Sequence, residues 1–178
     1  MARLFSLFGE KRSLDLMDEV AVAAPAPLPT LRPQLDGNIQ FDGQLIPNLT
    51  HDHAHLVSQF TSLLPLLRSA DVKAFKSRLQ AFKTAFQGHI IKENVKFYVY
   101  LEQSLASDDT NLELMRDFRR EMNSISRAVV HFCNRYLDDP AVESSFTRFA
   151  QESKDIAEAL LRRIEREERD LYPLYTTR

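Results

Sequence analysis

From residue 48 onward apolar side chains recur at spacings of three and four, the period of amphipathic helices, and the pattern predicts four of them. The first, about 48–68, carries Leu49, His53, Leu56, Phe60, Leu63 and Leu67 on one stripe; Asn48 or Thr50 can cap it, and Pro65 should bend it or end it early. The second, about 71–104, starts at Asp71 and aligns Phe75, Leu79, Phe82, Phe86, His89, Glu93, Phe97 and Tyr100. Gly88 sits inside it, a costly choice unless another backbone or a bound group comes close. A polar break at 107–111 introduces the third stripe: Met115, Phe118, Met122, Ile125, Val129, Phe132 and Tyr136. Asp139-Pro140 then reads as a cap with a first-turn proline. It opens a fourth helix, about 140–172, with Phe146, Phe149, Ser153, Ile156, Leu160, Arg163, Glu167 and Leu171 in line before Pro173 stops it. Short breaks between long helices make neighbours antiparallel, which implies an all-α, up-down-up-down four-helix bundle with an N-terminal extension.

Upstream the helical period is missing. Residues 1–34 read as a flexible tail and Pro-rich linker, because Pro25, Pro27, Pro29 and Pro33 each remove a backbone donor, and this stretch should be dispensable for folding. Residues 35–47 read as an arm packing on the bundle, and 48–178 as the bundle itself. Only 4 glycines stand against 12 phenylalanines, which argues against turn-rich sheets. Lysine and arginine total 23 against 25 acidic residues, net charge -2, so no polycationic surface awaits nucleic acid. No apolar run is long enough for a transmembrane segment. The single cysteine, Cys133, has no partner for an internal disulfide and points to the cytoplasm; with no catalytic pattern around it, it reads as an inert buried thiol. Oligomeric state leaves no mark on the sequence.

The informative anomaly lies on the stripes. His53, His89, Glu93, Arg163 and Glu167 occupy inward positions, where unpaired charge costs several kcal/mol, so they must neutralise one another or hold a metal. His89 and Glu93 lie four apart on one helix face, and Arg163 and Glu167 repeat that spacing on the fourth helix. Imidazole and carboxylate converging between facing helices is a common way for a bundle to bind a transition metal. His51, His55 and His131 fall off the stripes and read as solvated, Met122 reads as core filler, and Tyr98 or Tyr100 is placed to donate to Glu93.

The runs Leu49-Thr-His-Asp-His53-Ala-His-Leu56, Gly88-His89-Ile-Ile-Lys-Glu93 and Ile164-Glu-Arg-Glu167-Glu-Arg-Asp-Leu-Tyr-Pro173 resemble the hemerythrin-like (HHE) bundle family, over residues 39 to 175. Carried over by position, the resemblance implies a non-haem iron site, of one or two ions or none, with His53, His89, Glu93 and Glu167 as metal ligands. The family's third-helix histidine falls at Met122 and its fourth-helix histidine at Arg163, so the ligand set is incomplete. Arg163 is expected to pair with Glu93 and Glu167 where a second ion would sit. The resemblance further implies binding or sensing of oxygen, nitric oxide or iron, or regulation, and no enzymatic turnover. A second resemblance leads to the alternative. Residues 155–167 and Phe86-Gln-Gly-His89 are similar to bacterial regulators of sigma D, which implies a metal-free regulator covering a protein partner such as a sigma factor.

Overall fold

In the computed structural model residues 39–177 are described, so the expected tail and linker, 1–34, and the first part of the arm lie outside the described residues. All regular structure among the described residues is helical. The first rod is α1 (Leu45–Thr61) followed by α2 (Leu63–Arg68). The break falls one turn ahead of Pro65, whose ring crowds the carbonyl four residues back, that of Thr61, the last residue of α1. Helix α1 begins at Leu45, three residues earlier than expected, with neither Asn48 nor Thr50 as its cap. Pro47 does not prevent this, because the N–H groups of a first turn have no intrahelical partner to lose. A Schellman turn ends α2: Asp71 N–H donates to the Leu66 carbonyl at 3.2 Å and Ala70 N–H to that of Leu67 at 3.1 Å, with Ala70 left-handed at φ 56°.

Asp71 caps α3 (Val72–Lys92), accepting from Ala74 N–H at 3.0 Å. The rod continues through a π-helical turn, Glu93–Phe97, into α4 (Tyr98–Ser104). Asp108 caps α5 (Asp109–Asp138), accepting from Asn111 N–H at 3.1 Å. The fourth rod starts later than expected. Asp139 accepts from Ala141 N–H and the Ser145 hydroxyl, holding a turn and a 3-10 segment, Val142–Ser145, so α6 (Phe146–Arg166) opens only at Phe146. Helix α6 ends in a second π turn, Glu167–Leu171, and a 3-10 turn, Tyr172–Leu174. Each expected continuous helix, 71–104 and 140–172, is thus interrupted by a π turn that opens on a buried glutamate.

Successive rods pack on one another and α2 closes the ring against α6, giving the four-helix bundle. The stripe residues of the first three rods are buried as expected, whereas on α6 Ala157 turns inward and Ile156 and Leu160 are half-buried. The core divides into two clusters, one from Leu56, Phe60, Phe82, Phe132 and their neighbours, the other from Leu49, Phe97, Phe118, Leu171 and theirs. On α1, α3 and α6 the polar stripe residues fall between the two clusters, which makes a polar layer across the waist of the bundle. Residues 39–44 of the arm cross one end, where Asp42 N–H donates to the Tyr175 hydroxyl at 2.9 Å and Phe41 stacks on Tyr175.

Candidate functional site

His53 on α1, His89 on α3 and Glu93 at the head of the first π turn converge in the waist, all buried, with one ligand-type atom of each within 4.8 Å of the others. His89 Nε2 lies 3.6 Å from Glu93 Oε1, and the two imidazole rings are 4.7 Å apart. The outer nitrogens face carboxylates. His53 Nδ1 hydrogen-bonds Glu168 at 2.9 Å; His89 Nδ1 has no hydrogen bond but lies 3.6 Å from Asp52, which Lys92 also holds. A carboxylate at Nδ1 keeps the ring proton outside and leaves the Nε2 lone pair facing inward.

Electrostatics suits a cation at this point. Burial, with His53 beside it, pushes His89 down to about 4 in spite of Asp52, so the imidazole is neutral. Burial and then the Glu167 carboxylate push Glu93 well above the usual carboxylate range, only partly countered by Arg163. Glu93 Oε2 is buried without any hydrogen-bond partner, an orphan that native interiors rarely tolerate. Two inward-facing imidazoles and an under-partnered carboxylate oxygen fit a transition-metal ion, which favours that N,N,O donor chemistry.

The other half of the waist already contains its cation. Arg163, only 2% exposed, pairs with Glu167 Oε1 and donates from Nη2 to the Tyr98 hydroxyl at 2.7 Å. Its Nε points to Met122 Sδ at 3.5 Å and its guanidinium lies 4.6 Å from the centre of the Phe118 ring. Burial works against the guanidinium, but Glu167, Tyr98 and Glu93 outweigh it and hold Arg163 above its ordinary value. Among these carboxylates the direct ion pair is with Glu167; Glu121 stands at 4.0 Å, and the expected pair with Glu93 is not made. Glu167 is itself raised, by burial first, with Arg163 and His53 opposing, and its Oε2 lies 3.8 Å from His53 Nε2, between the two halves.

Two tyrosines complete the layer in reciprocal fashion. The Tyr172 hydroxyl lies 3.3 Å from both His53 Nε2 and Glu93 Oε1, and the Tyr98 hydroxyl 3.3 Å from Glu167 Oε1. The expectation that Tyr98 or Tyr100 serves Glu93 is therefore corrected, since Tyr98 turns to Glu167 and Arg163 and Tyr100 donates to the Thr176 carbonyl. Each of Tyr98 and Tyr172 follows a glutamate by five residues, and its N–H donates to that glutamate's carbonyl. The wider π wind keeps positions five apart near one face, so both hydroxyls reach the waist. Burial raises both phenols.

His51, His55 and His131 are exposed, as expected. Of the two reasons expected for Gly88, a close backbone is not found, since no atom lies within 4 Å of where its Cβ would stand. Gly88 borders instead a cavity of about 280 Å³ lined by Asp52, His55, Leu56, Ala85, His89 and Lys92. Asp52, Glu168 and Tyr172 are site residues that sequence reasoning missed.

Residues 44–175 match the family described as the hemerythrin HHE cation binding domain. Neither the curated proteins nor the solved structures give a match.

Proposed function

Since the chain belongs to the hemerythrin HHE cation-binding family, we propose that it binds a single non-haem iron ion between His53, His89 and Glu93, with Arg163 in place of a second ion. The observation that carries this reading is the convergence of the three donors beside a guanidinium that already occupies the opposite half of the waist. Glu167 then has a shared part, one oxygen on Arg163 and the other facing His53 Nε2. Two histidines and one carboxylate leave open positions on an iron ion, which supplies a redox-active Lewis acid able to take up a small ligand such as oxygen or nitric oxide. His53 and His89 orient such an ion through their outer carboxylates, and the two apolar clusters on either side keep bulk water away. We assign the protein to ligand binding, sensing or regulation in the cytoplasm rather than to turnover.

Elemental analysis of protein expressed with added iron tests this directly: one ion per chain is expected, lost in His53→Ala and in Glu93→Ala. Two ions per chain would overturn the reading. A second reading is favoured by one observation, that Arg163, Glu167 and Tyr98 already pair with one another without any metal. Absence of metal under every condition would leave that reading, a helical regulator expected to co-purify with a protein partner such as a sigma factor.

A further inference from the structure

The geometry points to Tyr172 as a fourth ligand, a phenolate oxygen, of the ion held by His53, His89 and Glu93, an inference that rests on the single-ion reading above. Donor atoms around one ion at bonds of about 2.0–2.2 Å stand roughly 3.4 Å from one another in tetrahedral geometry. The Tyr172 oxygen is 3.3 Å from His53 Nε2 and 3.3 Å from Glu93 Oε1, and His89 Nε2 is 3.6 Å from the same Glu93 oxygen. Three edges of such a polyhedron are therefore already spaced for one ion.

The Arg163 half supplies an independent observation. There a cation is visible, and the tyrosine at the equivalent register, Tyr98, turns its oxygen onto it at 2.7 Å while also contacting Glu167. Tyr172 holds the same relation to Glu93 on the opposite rod, with only the cation exchanged. Hydrogen-bond supply points the same way. The Tyr172 hydroxyl carries a single proton yet faces both His53 Nε2 and Glu93 Oε1 at the same 3.3 Å. A cation in that space satisfies all three groups together. Charge agrees as well, because Glu167 is already paired with Arg163, so a buried divalent or trivalent ion beside Glu93 keeps a net positive charge that a phenolate reduces. Tyr172 cannot readily turn away: its ring stacks on His53 at 5.7 Å and 6°, meets Phe97 edge-on at 5.2 Å, and is followed by Pro173.

The binding step exchanges one bond for another. The phenol O–H breaks, its proton passes to the buffer, and the oxygen lone pair forms the bond to the ion, with no change of oxidation state when ferric iron is supplied as such. Ferric loading of the full chain should then give a broad visible phenolate-to-iron absorption and phenolate vibrations in resonance Raman spectra. Tyr172→Phe should lose both while still binding one ion, with zinc affinity lowered about tenfold or more, and Tyr98→Phe should keep both. Iron bound by the native chain without the absorption, or an absorption that survives in Tyr172→Phe, would overturn the assignment of Tyr172 and leave the single-ion reading standing. A native chain that takes up no iron would overturn the single-ion reading instead. If Tyr172→Phe fails to fold, the ultraviolet difference signal of tyrosinate on zinc loading of the native chain and of Tyr98→Phe decides: its presence in both supports Tyr172, and its absence from either sinks it.

Discussion

Replacing Arg163 by alanine in the metal-free protein strands the Glu167 carboxylate, and the structure bounds what that costs. Both side chains are 2% exposed, and without the guanidinium Glu167 keeps the Tyr98 hydroxyl at 3.3 Å, His53 Nε2 at 3.8 Å and the neighbouring Glu93 carboxyl group, none of them a fixed cation. Glu167 can remain ionised, at the roughly 3–5 kcal/mol typical of a broken buried pair. Otherwise it takes up a proton, which at pH 7 against an ordinary value of 4.5 costs about 3 kcal/mol. The cheaper route sets the electrostatic part. Loss of the contacts to Phe118 and Met122 adds to it, so a total of about 3–5 kcal/mol is expected. Because the proton route dominates, the penalty should shrink by about 1.4 kcal/mol for each pH unit below 7. Urea unfolding of chelator-treated native and Arg163→Ala protein at pH 7 and pH 5 measures both quantities. Removing the stranded acid as well, in Arg163→Ala with Glu167→Ala, should recover much of the loss, and bound metal should soften it by giving Glu167 another positive neighbour. A loss below about 1 kcal/mol at pH 7, or one that does not change with pH, would refute the view that this pair is a closed, buried ion pair.

The outer carboxylates should matter almost as much as the ligands: Asp52→Asn and Glu168→Gln are each expected to weaken metal binding about 10- to 100-fold with little change in melting temperature. Equal affinity by competitive titration would remove them from the site. Gly88 is exposed, helical and without a neighbour, so Gly88→Ala should stabilise by about 1 kcal/mol, and a drop in thermal stability would show that the glycine is needed. His89 is held at about 4 from an ordinary 6.5, so the unfolded chain binds the extra proton between those values. Its contribution to metal-free stability is therefore whole above about pH 6.5 and lost as pH falls toward 4, while the raised Glu93 works in the opposite direction. The stability gap between native protein and His89→Gln should narrow on acidification, and a constant gap would contradict the assignment.

How much of this was legible in the sequence follows from what each residue costs. Polar side chains on an apolar stripe are expensive, so His53, His89, Glu93, Arg163 and Glu167 stand out in the sequence alone, and all five are buried in the waist. Asp52 and Glu168 each sit one residue from a stripe position, where a carboxylate is indistinguishable from a solvated one. Tyr172 was hidden for another reason. An α-helical period places a residue five beyond Glu167 off the inward face, and only the π turn returns it. Helix ends were the other blind spot, because residues 35–47 read as an arm yet α1 begins at Leu45 with Pro47 in its first turn, and Asp139 holds a 3-10 turn where a helix cap was expected.

The guanidinium in the waist has a consequence for how such a protein would answer to supply. A pair of exchangeable ions sharing carboxylates loads with mutual dependence, so occupancy responds steeply to free metal. A cation tethered to its own helix cannot be diluted, chelated or starved away, and its half of the centre is assembled as soon as the chain folds. On the single-ion proposal, the remaining half would fill along a simple hyperbola, with a Hill coefficient of one. Under this arrangement occupancy follows metal supply in proportion rather than as a threshold.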